Sequence, residues 1–139
     1  RAAAFIDEST GVLTGQRGQF TVFAGGRVQA PVGNPLGLRG VHAIKLQTTG
    51  QGWMVGDGGL LLTTTSAGAG WQQASPSLPA SMRDFFDLHA VESVGTNVWI
   101  AGAPGSAVWH SPDNGQTWQA QPTGDPAPLR AVSFADERL

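Results

Sequence analysis

A chain of 139 residues with 40% hydrophobic and 13% charged residues has the apolar content for a packed core and falls outside the composition of disordered chains. Its formal net charge of -2, with seven Arg and one Lys scattered along the sequence, leaves no basic face for a nucleic-acid backbone. Zero cysteine excludes a disulfide framework, a thiolate nucleophile and a cysteine-based zinc site, and no apolar run reaches the roughly 20 residues of a membrane-spanning helix.

The 20 Gly and 9 Pro suit many short strands joined by turns, and no long amphipathic helix is visible. The sequence opens at Arg1 without a charged start leading into an apolar stretch, so the leader pattern is missing here and a lost upstream leader is compatible with it. Along residues 1–37, Val12-Leu13-Thr14-Gly15 and Gln19-Phe20-Thr21-Val22-Phe23 read as two strands. Ala24-Gly25-Gly26-Arg27-Val28 then makes a turn with a final strand, and Asn34-Pro35 marks a connection.

From residue 38 the chain repeats itself. Val41, Leu88 and Val132 each sit in an apolar strand, the first two 47 positions apart and the last two 44. Gly52-Trp53-Met54-Val55-Gly56 matches Val98-Trp99-Ile100-Ala101-Gly102 as second strands closed by glycine. Turn chemistry follows at Asp57-Gly58-Gly59 and at Ala103-Pro104-Gly105, leading into third strands at residues 60–64 and 107–110. Each unit then carries a Gly-x-x-Trp turn. In the later copy it is Ser111-Pro112-Asp113-Asn114-Gly115-Gln116-Thr117-Trp118; in the earlier one Thr64 stands for Ser111, Gly68 for Gly115 and Trp71 for Trp118, with Ser66 where the acid would be. Pro-rich connections close both units at residues 74–80 and 122–128.

Four strands per unit make an antiparallel sheet of the size of one propeller blade. The expected organisation is a degenerate or partial blade over 1–37, a blade over 38–85, a blade with the intact turn over 86–128, and the first strand of a further blade over 129–139. About three blades fall short of the roughly four to eight that close a propeller, so the sequence reads as an all-β segment of a larger β-propeller.

The Ser-x-Asp-x-Gly-x-Thr-Trp stretch resembles the Asp-box, or bacterial neuraminidase repeat. Together with the repeated Gly-Trp-x-Val-Gly strand, it makes the chain similar to the photosystem II stability/assembly factor family, within the sialidase-like superfamily. The resemblance is closest from Leu38 to Leu139. It implies a noncatalytic segment that binds another protein or serves as an assembly scaffold, on the extracytoplasmic side, without cofactor or metal. The alternative it leaves is a carbohydrate-active propeller whose catalytic groups lie outside these residues.

Candidate chemistry is sparse. A sialidase-like site needs a tyrosine nucleophile, and the chain contains no Tyr. Asp57, Asp84, Asp87, Glu92 and Asp125 are available as carboxylate pairs for glycoside hydrolysis; as turn residues and solvated charges they have a simpler reading. Asp113 lacks the further acids of a calcium loop, so Ser111, Asp113, Gly115, Thr117 and Trp118 are expected to tie down a turn. His42 and His89 occupy equivalent repeat positions, either as ligands or a pH-sensitive pair or as copied packing residues; His110 is out of register with them. Four of the five tryptophans, Trp53, Trp71, Trp99 and Trp118, recur in pairs and are expected in the core, while Trp109, opposite Leu62 in the other unit, is freer to bind. Arg39, Arg83 and Arg130 are candidates for a rim that grips a partner's acidic groups through paired hydrogen bonds.

Overall fold

The computed structural model describes residues 2–15, 19–29, 39–74, 87–103, 107–122 and 124. They form twelve strands in three sheets of four. The first sheet contains β1 (Ala2–Asp7), β2 (Thr10–Thr14), β3 (Phe20–Ala24) and β4 (Arg27–Gln29). The second contains β5 (Val41–Leu46), β6 (Gly52–Gly56), β7 (Leu60–Thr64) and β8 (Gln72–Gln73). The third contains β9 (Asp87–Val94), β10 (Asn97–Ala103), β11 (Ala107–Ser111) and β12 (Gln119–Pro122).

Strands follow chain order across each sheet, and every neighbouring pair is antiparallel. The three first strands lie side by side, β1 against β5 and β5 against β9. This is the arrangement of a β-propeller, with first strands on the inside and each sheet a blade. Residues 129–139, expected as the opening strand of a further blade, lie outside the described residues.

Two apolar clusters hold the blades together, one at each seam. Between blades one and two, Val12 packs with Val41, Leu46, Met54, Leu60 and Leu62, flanked by Phe20 and Trp71. Between blades two and three, Trp53, Val55 and Leu61 pack against Leu88, Val91, Val98, Ile100 and Trp109, flanked by Trp118. Strand β6 is buried along its whole length because its alternate side chains feed both seams: Met54 faces blade one, and Trp53 and Val55 face blade three.

The structure adds one strand to the sequence reading. Ala2–Asp7 pairs with β2 as the first strand of blade one, ahead of the two strands and turn read from residues 12–28. Its close, Asp7, accepts hydrogen bonds from the Ser9 amide (2.8 Å) and hydroxyl (2.9 Å), a local tie that fixes the turn into β2 and holds the Asp7 carboxyl below the usual carboxylate range.

Candidate functional site

Two features stand out: the turns after β7 and β11, and the ends of the inner strands. In blade three the turn is centred on the hydroxyl of Ser111, which is fully buried. Ser111 Oγ accepts from the Gly115 amide at 2.7 Å and donates to Asp113 Oδ1 at 2.8 Å. Asp113 Oδ1 also accepts the Thr117 amide at 2.8 Å, and Asp113 Oδ2 accepts the Thr117 hydroxyl at 2.6 Å. These bonds stabilise the ionised form, so the Asp113 carboxyl falls from 3.8 to about 2, the Thr117 hydroxyl being the largest cause.

The remaining residues of the turn fix its position in the blade. Asn114 adopts positive φ (58°), and its amide donates to Thr96 O in the β9–β10 turn at 2.8 Å. Gly115, also at positive φ (84°), sits directly over the Trp53 ring, where a Cβ would come within 2.6 Å of Cη2. Trp118 meets Trp53 edge to face, centroids 6.4 Å apart. One turn of blade three thereby caps the second strand of blade two.

Blade two builds the same turn without the acid. Thr64 Oγ1 accepts from the Ser66 and Gly68 amides, both at 3.2 Å, and Ser66 Oγ accepts the Gly70 amide at 3.0 Å. Ala67 takes the positive φ (57°), and its amide donates to Gly50 O in the β5–β6 turn at 2.8 Å. Gly68 lies over Val12 of blade one, and Trp71 meets Phe20 edge to face at 6.5 Å. An open groove of about 360 Å³ runs beside this turn, lined by Thr63, Thr64, Thr65, Gly70, Trp71 and Gln72, with no carboxylate among them.

The inner strands share a second device. On β5, Val41 opposes Gly56 and Ala43 opposes Val55, so His42 is passed over in the pairing. On β9, Leu88 opposes Gly102 and Ala90 opposes Ala101, passing over His89 in the same way. Such a bulge re-aims one side chain. The glycine that closes each second strand permits it: a Cβ on Gly56 would collide with Gly40 O, and one on Gly102 with Asp87 O. The two imidazoles meet across the seam with ring centroids 5.0 Å apart and planes at 66°. Asp57 clasps the first of them, Oδ1 lying 2.6 Å from His42 Nε2 while Oδ2 accepts the Gly40 amide at 3.0 Å. Asp87 Oδ1 accepts the Gly58 amide at 2.8 Å, tying blade three to the turn of blade two.

The other predicted residues fall as follows. Arg39, two residues ahead of β5, is half-buried and engaged; Arg83 and Arg130, with Asp84 and Asp125, lie outside the described residues. Trp109 is walled into the core between blades two and three at 9% exposure, because Trp109 faces blade two from β11; its ring offers no binding platform. Trp53, Trp71 and Trp118 pack on the seams. Trp99 differs: it is half-buried and stacks flat on His110, centroids 5.0 Å apart, while His110 Nε2 lies 3.0 Å from Asn97 Oδ1. Glu92 pairs with Lys45 at 2.8 Å across the inner strands. Among the described residues no three His, Asp or Glu side chains converge to hold a metal ion. Sequence reasoning missed Asp57 as the partner of His42, although its place directly after the closing glycine Gly56, beside the β5 bulge, was a usable signal.

Comparison with known proteins sharpens this picture. Residues 35–135 match the family described as Photosynthesis system II assembly factor YCF48. A Photosystem II assembly lipoprotein Ycf48 from Synechococcus sp. (strain CC9902) is 37% identical over 67 residues, 48% of this chain and 19% of that protein. A solved structure, YCF48 bound to D1 peptide, superposes with a TM-score of 0.70 at 21% identity, covering 92% of this chain and 42% of that one. The chain thus spans about a fifth of the curated relative and two fifths of the solved one.

Proposed function

Since the chain belongs to the Photosynthesis system II assembly factor YCF48 family, we propose that it is part of a noncatalytic propeller that binds a segment of another protein during assembly of a membrane complex. The observation that carries this reading is the fold shared with a protein solved in complex with a D1 peptide, within a family described as an assembly factor. The chemistry of this chain agrees with it. Of the described carboxylates five are spent on structure, Asp7 on Ser9, Asp57 on Gly40 and His42, Asp87 on Gly58, Glu92 on Lys45, and Asp113 on its own turn, which leaves the exposed Glu8 without a second free carboxylate to pair with among the described residues. A hydrolytic pair needs one carboxyl free to protonate a leaving group and another free to attack or activate water.

On this reading the contact surface is the rim where the inner strands begin, with Arg39, His42 and His89 from blades two and three; Arg83 and Arg130, outside the described residues, are proposed from the sequence as further cations for the partner. The turn residues Ser111, Asp113, Gly115, Thr117 and Trp118 set blade geometry and touch no partner. The chain works on the extracytoplasmic side, a reading supported by a relative named as a lipoprotein. The test is calorimetric titration of the protein with D1-derived peptides and with a scrambled peptide of equal charge. Selective binding that Arg39→Glu weakens at least tenfold supports the reading; equal binding of both peptides, or hydrolysis of a panel of aryl glycosides, overturns it.

A further inference from the structure

Of the asparagines in the chain, only Asn114 is followed by glycine. An Asn-Gly link is the one most open to deamidation, because glycine carries no side chain to shield the amide nitrogen that attacks the asparagine Cγ. We propose that Asn114-Gly115 is a modification site gated by the seam between blades two and three. The side-chain amide is kept while the turn after β11 sits on blade two, and is converted to aspartate or isoaspartate when that turn lifts away. The site is independent of any partner at the rim.

The seated turn keeps both reacting groups occupied. The nucleophile is the Gly115 nitrogen, and its buried N–H is donated to Ser111 Oγ at 2.7 Å. The electrophile is the Asn114 carboxamide. Its Nδ2 donates to Gln51 Oε1 of blade two at 3.4 Å, and the Asn114 backbone amide donates to Thr96 O at 2.8 Å. Asn114 Oδ1 is buried and accepts no hydrogen bond among the described residues, so no donor is placed to polarise the carboxamide for attack. Ring closure also requires the Gly115 nitrogen to swing off Ser111, and Gly115 is packed too closely on the Trp53 ring to move.

Once the turn lifts, the Gly115 nitrogen gives up its proton to solvent and bonds to Asn114 Cγ. The bond from Cγ to the side-chain nitrogen breaks and ammonia leaves, closing a five-membered succinimide. Water then adds to one of the two ring carbonyls and opens the ring to aspartate or to isoaspartate. Aspartate lacks the donor that Gln51 Oε1 accepts and sets a second charge beside ionised Asp113. Isoaspartate adds a methylene to the main chain and carries the glycine off Trp53, so an opening that ends there is not reversed.

The experiment incubates the folded protein, and separately a synthetic peptide of residues 109–120, in mildly alkaline buffer and follows conversion of Asn114 by peptide mass spectrometry. The expected rate in the folded protein is roughly tenfold or more below that of the peptide, because only the open fraction reacts. Ser111→Ala and Trp53→Ala, which unseat the turn, raise it toward the peptide rate. Gln51→Ala, which leaves the core and the turn's own bonds intact, raises it about threefold. Val12→Ala, at the other seam, keeps the wild-type rate. Conversion as fast in the folded protein as in the peptide overturns the proposal. So does a wild-type rate in both Gln51→Ala and Ser111→Ala, or a rise in Val12→Ala equal to that in Gln51→Ala, which would make global unfolding the gate.

Discussion

The turns of blades two and three perform one task with different chemistry. Both rest on a buried hydroxyl, Thr64 or Ser111, that gathers amides from the following residues, and both place a glycine over a side chain of the preceding blade. The difference that changes the tie is the acid and the residue it holds, Ser66 with Gly70 against Asp113 with Thr117. Ser66 holds a single amide, that of Gly70, whereas Asp113 holds both the amide and the hydroxyl of Thr117 and carries a charge. The hydroxyl and the glycine are therefore the parts the turn needs, and the acid reinforces it. The blade with the acid is also the one that caps a tryptophan, Trp53, where its counterpart caps the smaller Val12.

Removing the capped side chain breaks this comparison most severely. Trp53→Ala takes out a ring that is 1% exposed and central to its seam, and should cost about 3–5 kcal/mol in denaturant unfolding. Val12→Ala at the other seam should cost less, since it removes fewer buried carbons; equal losses would contradict the size argument. Gly115→Ala forces a Cβ onto Trp53 and a left-handed backbone on alanine, about 1–3 kcal/mol for overpacking and about 1–2 kcal/mol for the conformation. A neutral effect would show that the ring yields freely.

Ser111→Ala leaves the Gly115 amide without its 2.7 Å acceptor in a buried setting, at about 1–3 kcal/mol. Thr64→Val should do the same in blade two, and a loss confined to blade three would mean that the acid, and not the hydroxyl, organises the turn.

Much of this was legible in the sequence and some was not. The strands of blades two and three show as apolar runs ended by glycine, and the turns as Gly-x-x-Trp at matched offsets. Strand β1 was hidden because Ala2-Ala3-Ala4 has neither β-branching nor alternation, and only pairing with β2 makes it a strand. The closing glycines, Gly56 and Gly102, read as turn markers; their work is to let the inner strand bulge, a requirement set by a neighbouring backbone that no local pattern encodes. For the same reason the sequence placed His42 and His89 in equivalent positions without fixing that the rings touch. Trp99 matched Trp53 by motif, yet the two differ in burial because Trp53 is capped by a following blade's turn, a property of the neighbour.

The smallest expected effect bears most directly on the central claim, that Asp113 serves the turn and takes no part in binding. A carboxyl held at about 2 in the folded chain, against 3.8 ordinarily, contributes stability that is fully present above about pH 4 and is lost as pH falls through about 2. Asp113→Ser, which gives blade three the residue of blade two, is the measurement: melting temperature at pH 7 and across the acid range, alongside peptide affinity at pH 7. The account predicts a lower melting temperature at pH 7, a gap to wild type that closes as pH falls from about 4 toward about 2, and unchanged affinity. An unchanged melting temperature with lost binding would contradict it.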